Sequence, residues 1–231
     1  MTDQFTSQWY DEYYRANPQN FSPWYQSSVE WIENKRPTGK LLEVGCGNGK
    51  LLVELLRRKL FGEDQLFGLE QSEVALRPLR SLLPNLHTVN IQDGLPFEDG
   101  TFDVVVMTEV IEHLLYPWDT LREIRRVLKP DGILLLSFPN FLNFPWLAIR
   151  VLGELLEKTS WTVLQPIDRM YIFPVMSRHV RACGFAIREI RGRVFLPPLL
   201  YKYEPPALVR IMNRLGLGSL ALHPLLICSK I

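Results

Sequence analysis

Leu41-Leu42-Glu43-Val44-Gly45-Cys46-Gly47-Asn48-Gly49 runs directly into Lys50-Leu51-Leu52-Val53-Glu54-Leu55-Leu56. An apolar run ends in an acidic residue and three alternating glycines, and apolar residues then recur at helical spacing. The pattern predicts a buried strand over 40–44, a tight turn, and a helix over 49–60. Glycine lets the backbone turn sharply and removes the Cβ that would keep another group at a distance.

The amides and dipole at the start of such a helix favour an anionic group, so the segment reads as a cradle for a nucleoside-type cofactor. A dinucleotide fingerprint would need a third glycine at Lys50, but here it comes one residue early, at Gly49. A second apolar run, Leu66-Phe67-Gly68-Leu69-Glu70, ends in a carboxylate. Glu70 stands at the ~20-residue distance expected of a ribose-binding acid in a strand–helix–strand unit. Thr88 to Asp93 and Phe102 to Thr108 continue the series, the latter followed by Glu109-Val110-Ile111-Glu112-His113-Leu114. An amphipathic helix over 119–128, the connector Lys129-Pro130-Asp131-Gly132 and a strand over 132–138 complete it.

Strands are therefore expected at 40–44, 65–70, 86–92, 102–108 and 132–138, with helices at 49–60, 73–83 and 119–128. Strand and helix alternate as in a doubly wound sheet. Beyond Pro139 the alternation loosens: helices are expected over 144–158 and 177–182, and closing strands over 185–191 and 222–229. Residues 1–37 read as an aromatic-rich helical cap divided by Pro18, Pro23 and Pro37, with Trp9, Tyr10, Tyr13, Tyr14, Trp24, Tyr25 and Trp31. Residues 38–231 read as the main domain, the whole forming one globular unit.

The chain has 231 residues, 47% of them hydrophobic and 22% charged, which suits one substantial core. A net charge of +1 argues against affinity built on neutralising many phosphates. Cys46, Cys183 and Cys228 suggest neither a disulfide framework nor zinc spacing, and point to a reducing, cytoplasmic setting. No secretory leader and no run long enough for stable membrane insertion is expected.

The ordered set of strands, glycine turn and acids resembles the class I S-adenosylmethionine-dependent methyltransferases, most closely the branch of ubiquinone/menaquinone-type small-molecule enzymes. The resemblance covers residues 38–140. It implies an α/β, Rossmann-like, doubly wound sheet of seven strands. That sheet is mostly parallel with the last strand antiparallel, and helices cover both faces. S-adenosyl-L-methionine is the implied cofactor. Gly45, Cys46 and Gly47 would pass beneath its ribose and methionine portions, with Glu43 near the amino acid end. Glu70, beside Gln71, would accept the ribose hydroxyls. Asp93 with Gly94 would reach the adenine amino group. Thr108 or Glu109 would face the cofactor centre. Cys46 reads as a small residue fitting the turn rather than as a reactive thiol.

His113, just past the fourth strand, is the candidate general base, since histidine titrates near neutrality. The alternative is that it only caps or packs. Glu109, Glu112 and His113 could hold a divalent ion in some relatives, but those relatives add a later histidine. Here the comparable stretch reads Ile167-Asp168-Arg169, so no metal is expected. Arg178, Arg181, Arg188, Arg191 and Arg193 could recognise an acidic substrate, or guard a helix face and a sheet edge. The stretches 138–146 and 196–201, rich in aromatic residues and proline, could wall an apolar pocket. The resulting expectation is an enzyme that methylates a small hydrophobic or ring-bearing acceptor, at oxygen, without a nucleic-acid partner. The competing readings are an RNA or protein methyltransferase and a catalytically silent S-adenosylmethionine-binding module.

Overall fold

The computed structural model describes residues 7–16, 25–142, 147–148, 151–152, 169–196, 200 and 203–231. Trp24, Pro18 and Pro23, most of the expected helix over 144–158, Ile167-Asp168 and much of the two aromatic stretches lie outside them.

Seven strands form one sheet in the order β3-β2-β1-β4-β5-β7-β6. They are β1 (Leu41–Val44), β2 (Leu66–Glu70), β3 (Asn85–Thr88), β4 (Phe102–Thr108), β5 (Leu128–Ser137), β6 (Phe185–Arg193) and β7 (His223–Lys230). The pairs among β1 to β5 are parallel. β7 runs antiparallel to both β5 and β6, so β6 points the same way as β5. All four residues of β1 are buried, as expected of a central strand covered on both faces.

Neighbouring residues on a strand face opposite sides, and the two cores divide accordingly. Leu42, Val105, Met107, Leu134 and Leu136 pack on one face against Leu121, Ile124 and Val127 of α5 (Pro117–Val127) and Met176 and Val180 of α6 (Phe173–Ala182). Leu41, Val104, Val106 and Leu135 pack on the other. There they meet Val29, Trp31 and Ile32 of α2 (Gln26–Lys35) and Leu51, Leu52 and Leu55 of α3 (Lys50–Arg57).

Several boundaries differ from expectation. The helix expected over 73–83 is a single turn, α4 (Glu73–Leu76), giving way to a 3-10 turn over Arg77–Leu79. Pro78 supplies no amide to continue the ladder. The third strand stops at Thr88, and Ile91–Asp93 forms another 3-10 turn. The fifth strand begins at Leu128, with its register against β4 jumping between Phe102/Leu128 and Val104/Ile133. Lys129 is held there by both oxygens of Asp103 at 2.8 Å. α5 and α6 start earlier than their apolar pattern suggested, each with proline in the first turn, where a missing amide costs nothing. Outside the sheet lie α1 (Ser7–Ala16), within the expected helical cap, and α7 (Pro206–Arg214), for which the sequence pattern gave no element.

The sheet is closely packed where the turn after β1 meets β2. A Cβ at Gly68 would lie 2.8 Å from Leu86 Cδ2, 2.9 Å from Cys46 Sγ and 3.0 Å from Leu52 Cδ1. Gly68→Ala is therefore expected to destabilise by about 1–3 kcal/mol through overpacking. That corresponds to roughly 2–4 °C of melting temperature per kcal/mol for a chain of this size. Adding Cys46→Ala should recover part of the loss. Additive losses in the thermal melts would show that Cys46 does not set the limit.

Candidate functional site

β1 hands the chain to a turn in which Gly45 and Gly47 both have positive φ, 72° and 52°. The Gly45 and Cys46 amides donate to the Leu69 carbonyl at 2.8 and 2.9 Å, tying the turn to β2. A Cβ at Gly45 would meet Val110 Cγ2 at 2.5 Å, so the loop after β4 lies against the turn after β1. The carboxyl ends of three adjacent strands thus converge, which is where open α/β sheets bind ligands.

Glu70 is the joint between these ends. Its Oε2 accepts from the Gly47 amide at 2.8 Å, and its Oε1 accepts from the amides of Gln71 and Ser72 at 2.8 and 3.1 Å. Burial pushes its carboxyl above the ordinary carboxylate range, and the three amides oppose that shift. A carboxylate offers about four lone-pair sites, so three amides still leave room for a hydroxyl donor.

Glu43, on the last turn-side position of β1, is buried beneath the first turn of α3. Burial holds its carboxyl well above the ordinary value, the Glu70 charge adds to this, and the Leu52 amide opposes it. Its Oε2 has no hydrogen-bond partner among the described residues, and neither does the buried Thr108 Oγ1 at the end of β4. Orphaned polar atoms of this kind are uncommon in folded interiors and invite a ligand or water.

α1 lies across this convergence. A Cβ at Gly47 would meet the Tyr14 hydroxyl at 2.6 Å. Burial raises the Tyr14 hydroxyl well above its ordinary range, reinforced by Glu70. Tyr10 is pushed up to about 12, by burial first and then by the charges of Glu70 and Glu112. Asp11 Oδ1 accepts from Ser72 Oγ at 2.5 Å and from the Val74 amide at 3.1 Å, latching α1 onto the start of α4. The aromatic content of this segment and its capping place were legible; which residues make the contacts, Tyr14 on the glycine turn and Asp11 on Ser72 and Val74, was not.

The other expected site residues divide. Gln71 contributes its amide to Glu70. The Cys46 side chain does not face the cleft: Sγ packs into the core space left by Gly68, and burial raises its thiol well above the ordinary range. Only its backbone belongs to the turn. Asp93 is exposed, and with Gly94, Val89, Asn90 and Glu123 it lines an open depression of about 500 Å³ beside the end of β2. His113 ends the 3-10 turn Ile111–His113, is 17% exposed at its side chain, and has Nε2 3.6 Å from Glu112 Oε1.

Glu109 departs from expectation. At φ 53°, an uncommon conformation for a residue with a side chain, its carboxylate turns toward β5 and β7. Oε1 accepts from Ser137 Oγ at 2.6 Å, and Oε2 lies 2.8 Å from His223 Nδ1. Glu109 is thereby drawn into a buried contact with β7. Ser137 and His223 carried no local motif, since only strand pairing sets them beside Glu109. Among the described residues no group of three His, Cys, Asp or Glu gathers as a metal site would require. His179, the described histidine nearest in sequence after Arg169, is stacked on Trp118 with ring centres 4.1 Å apart.

Phe138 and Phe141 are core residues rather than an open wall. Of the arginines, Arg188 donates to Ser229 Oγ, Arg191 pairs with Glu189, and Arg193 pairs with Glu30 of α2. This favours a guarded sheet edge over an acid-binding patch.

Comparison with known proteins agrees with this geometry. Residues 42–136 match a methyltransferase domain model. A Neisseria meningitidis ubiquinone biosynthesis O-methyltransferase is 26% identical over 163 residues, covering 68% of this chain and 67% of that protein. A Mycolicibacterium smegmatis protein designated a probable S-adenosylmethionine-dependent methyltransferase is 36% identical over 111 residues, covering 45% of this chain and 39% of that one. The chain thus spans well under half the length of some curated relatives. Among solved structures, a Thermotoga maritima S-adenosylmethionine-dependent methyltransferase superposes with a TM-score of 0.64 at 20% identity, covering 99% of this chain and 97% of that one. The domain match opens in β1 and closes in β5, the stretch that contains the glycine turn, Glu70 and the loop after β4. On these grounds residues 42–136 form a methyltransferase domain, and the chain is similar to S-adenosylmethionine-dependent methyltransferases.

Proposed function

We propose that the protein transfers a methyl group from S-adenosylmethionine to an oxygen of a small, apolar or ring-bearing acceptor. The observation that carries this reading is Glu70, fixed by three backbone amides between two strand ends and covered by Tyr10 and Tyr14. The residues fit the cofactor. Glu70 would hold the ribose hydroxyls, Glu43 with its orphaned Oε2 would lie toward the amino acid end, and Asp93 with Gly94 would border the adenine.

When bound, S-adenosylmethionine supplies an electrophilic methyl on a sulfonium whose leaving group departs neutral. The chain's own work is then alignment, which can contribute on the order of 7–11 kcal/mol at best. Tyr10 and Tyr14 would exclude water and offer ring faces to a cation. His113, beside Glu112 at the open end of β4, would accept the proton of an attacking hydroxyl. A cover of aromatic side chains over the cleft suits a compact acceptor better than a polymer. The Neisseria relative, named for oxygen methylation in ubiquinone biosynthesis, supports the choice of oxygen and of a ring-bearing acceptor.

Calorimetry with S-adenosylhomocysteine tests the first half of the reading. The native chain should bind, and Glu70→Ala should weaken binding at least about tenfold, or 1.4 kcal/mol. Unchanged affinity in Glu70→Ala would remove Glu70 from the site. His113→Ala should keep that affinity while methylation across a panel of phenolic acceptors falls by about 10²–10⁴. Full turnover in His113→Ala would dismiss it as the base.

Glu43 adds a pH test. Its folded carboxyl holds a proton more tightly than the unfolded chain does. Stability should therefore be greatest below its ordinary value and decline as pH rises toward the raised one. Glu43→Gln removes that decline, so its melting temperature should exceed the native value at pH 8 by more than at pH 5, while its affinity for S-adenosylhomocysteine drops. A parallel pair of melting curves across this pH range would contradict the assignment.

A further inference from the structure

α7 has no buried residue. Besides Pro206 at its start, its exposed positions are Ala207, Arg210, Ile211 and Arg214, continued by Leu215, which from Ala207 onward is the i, i+3, i+4, i+7, i+8 spacing of one helical stripe. Ile211 is 54% exposed and Leu215 66%, and Tyr203, just ahead of the helix, is 78% exposed. Large apolar side chains and arginines thus alternate along one outward face. From Pro205 to Ile231 the chain contains no Asp or Glu, while it carries Arg210, Arg214 and Lys230. The opposite side of the helix is fixed to the sheet, with the Gly192 amide donating to Asn213 Oδ1 at 2.7 Å and Asn213 Nδ2 donating to the Gly192 carbonyl at 3.1 Å. The outward stripe therefore cannot roll inward to hide its apolar groups.

We propose that this stripe docks the protein reversibly on an anionic lipid surface. Helices that lie in a bilayer interface bury apolar side chains at the headgroup boundary, and arginines beside them reach the phosphates through their own aliphatic stems. The absence of any acidic side chain over this stretch removes the repulsion that such a surface would otherwise meet. No helix among the described residues is long and apolar enough to cross a membrane, so the contact is peripheral. A nine-residue helix with two apolar anchors binds weakly, which makes the docking reversible. The placement has a consequence for access. Gly192 is near the carboxyl end of β6, and β6 points the same way as β5 and β4. The stripe therefore lies at the end of the sheet that carries the candidate site, and docking would bring that end to the source of an apolar acceptor. The docking itself does not depend on the methyl-transfer reading.

Vesicle flotation with the full chain tests the proposal. Vesicles of phosphatidylglycerol and phosphatidylcholine in equal parts should carry the protein at low salt, at least about tenfold more than phosphatidylcholine alone, and high salt should release it. Ile211→Asp with Leu215→Asp, and separately Arg210→Glu with Arg214→Glu, should each abolish flotation while leaving the melting temperature and S-adenosylhomocysteine affinity at native values. The arginine pair keeps the test valid if the apolar pair disturbs folding. Absence of flotation with anionic vesicles, or flotation unaffected by both double variants, overturns the proposal. So does concentration-dependent self-association, lost in Ile211→Asp with Leu215→Asp, in a chain that ignores vesicles; the stripe would then be a contact between copies.

Discussion

A buried carboxylate gripped by backbone amides organises this molecule. Glu70 ends β2, yet it accepts from the turn after β1 as well as from its own loop. Taking a carboxylate out of water is costly unless hydrogen bonds replace the lost hydration. Here the amides of Gly47, Gln71 and Ser72 do so, and in return the carboxylate holds two independent loops in one geometry. The glycine turn can make this approach because no side chain stands between its backbone and Glu70. The loop after β2 is held a second time from above, through Asp11 on Ser72 and Val74. A flexible turn between strand and helix thereby becomes a rigid floor.

Around that joint the structure accepts local disadvantages. Glu43 and Glu70 are two acids in a buried setting; burial raises the proton affinity of both, and the Glu70 charge adds to that of Glu43. Glu109 sits at a positive φ to reach Ser137 and His223. Thr108 and Glu43 keep polar atoms without partners among the described residues. Such features cluster at functional sites, where strain and unsatisfied polarity are retained because the ligand resolves them. They are supported by two apolar layers in which β1, residues 104–107 of β4 and residues 134–136 of β5 are buried. The rigidity of those layers lets loop residues hold positions that their local conformations would not choose.

The helices at the two ends of the chain treat the same end of the sheet differently. α1 is drawn inward by Tyr10, Asp11 and Tyr14 and covers the cleft. α7 is tied down by Asn213 and leaves its apolar stripe in solvent. Both are short and amphipathic, so composition alone would assign them the same role. Their difference lies in what the sheet edge beneath each one offers. The turn after β1 presents a buried anion and open glycine backbone, whereas the end of β6 presents one amide and one carbonyl.

The sequence by itself determined the alternation of strand and helix, the burial of β1, the glycine turn and the acids Glu43 and Glu70. Each of these is written in local periodicity or in a residue type that only one backbone geometry tolerates. It also placed His113 just past β4. The length of α4, the early start of β5 and the fate of Glu109 were settled only in three dimensions. Pro78 stopped a helix that its apolar pattern would have extended, Asp103 drew Lys129 into a strand, and the pairing of β7 with β5 delivered His223 to Glu109 across more than a hundred residues of chain. Contacts between distant segments depend on which strands become neighbours, and that is decided by burial of the whole sheet rather than by any one stretch of sequence.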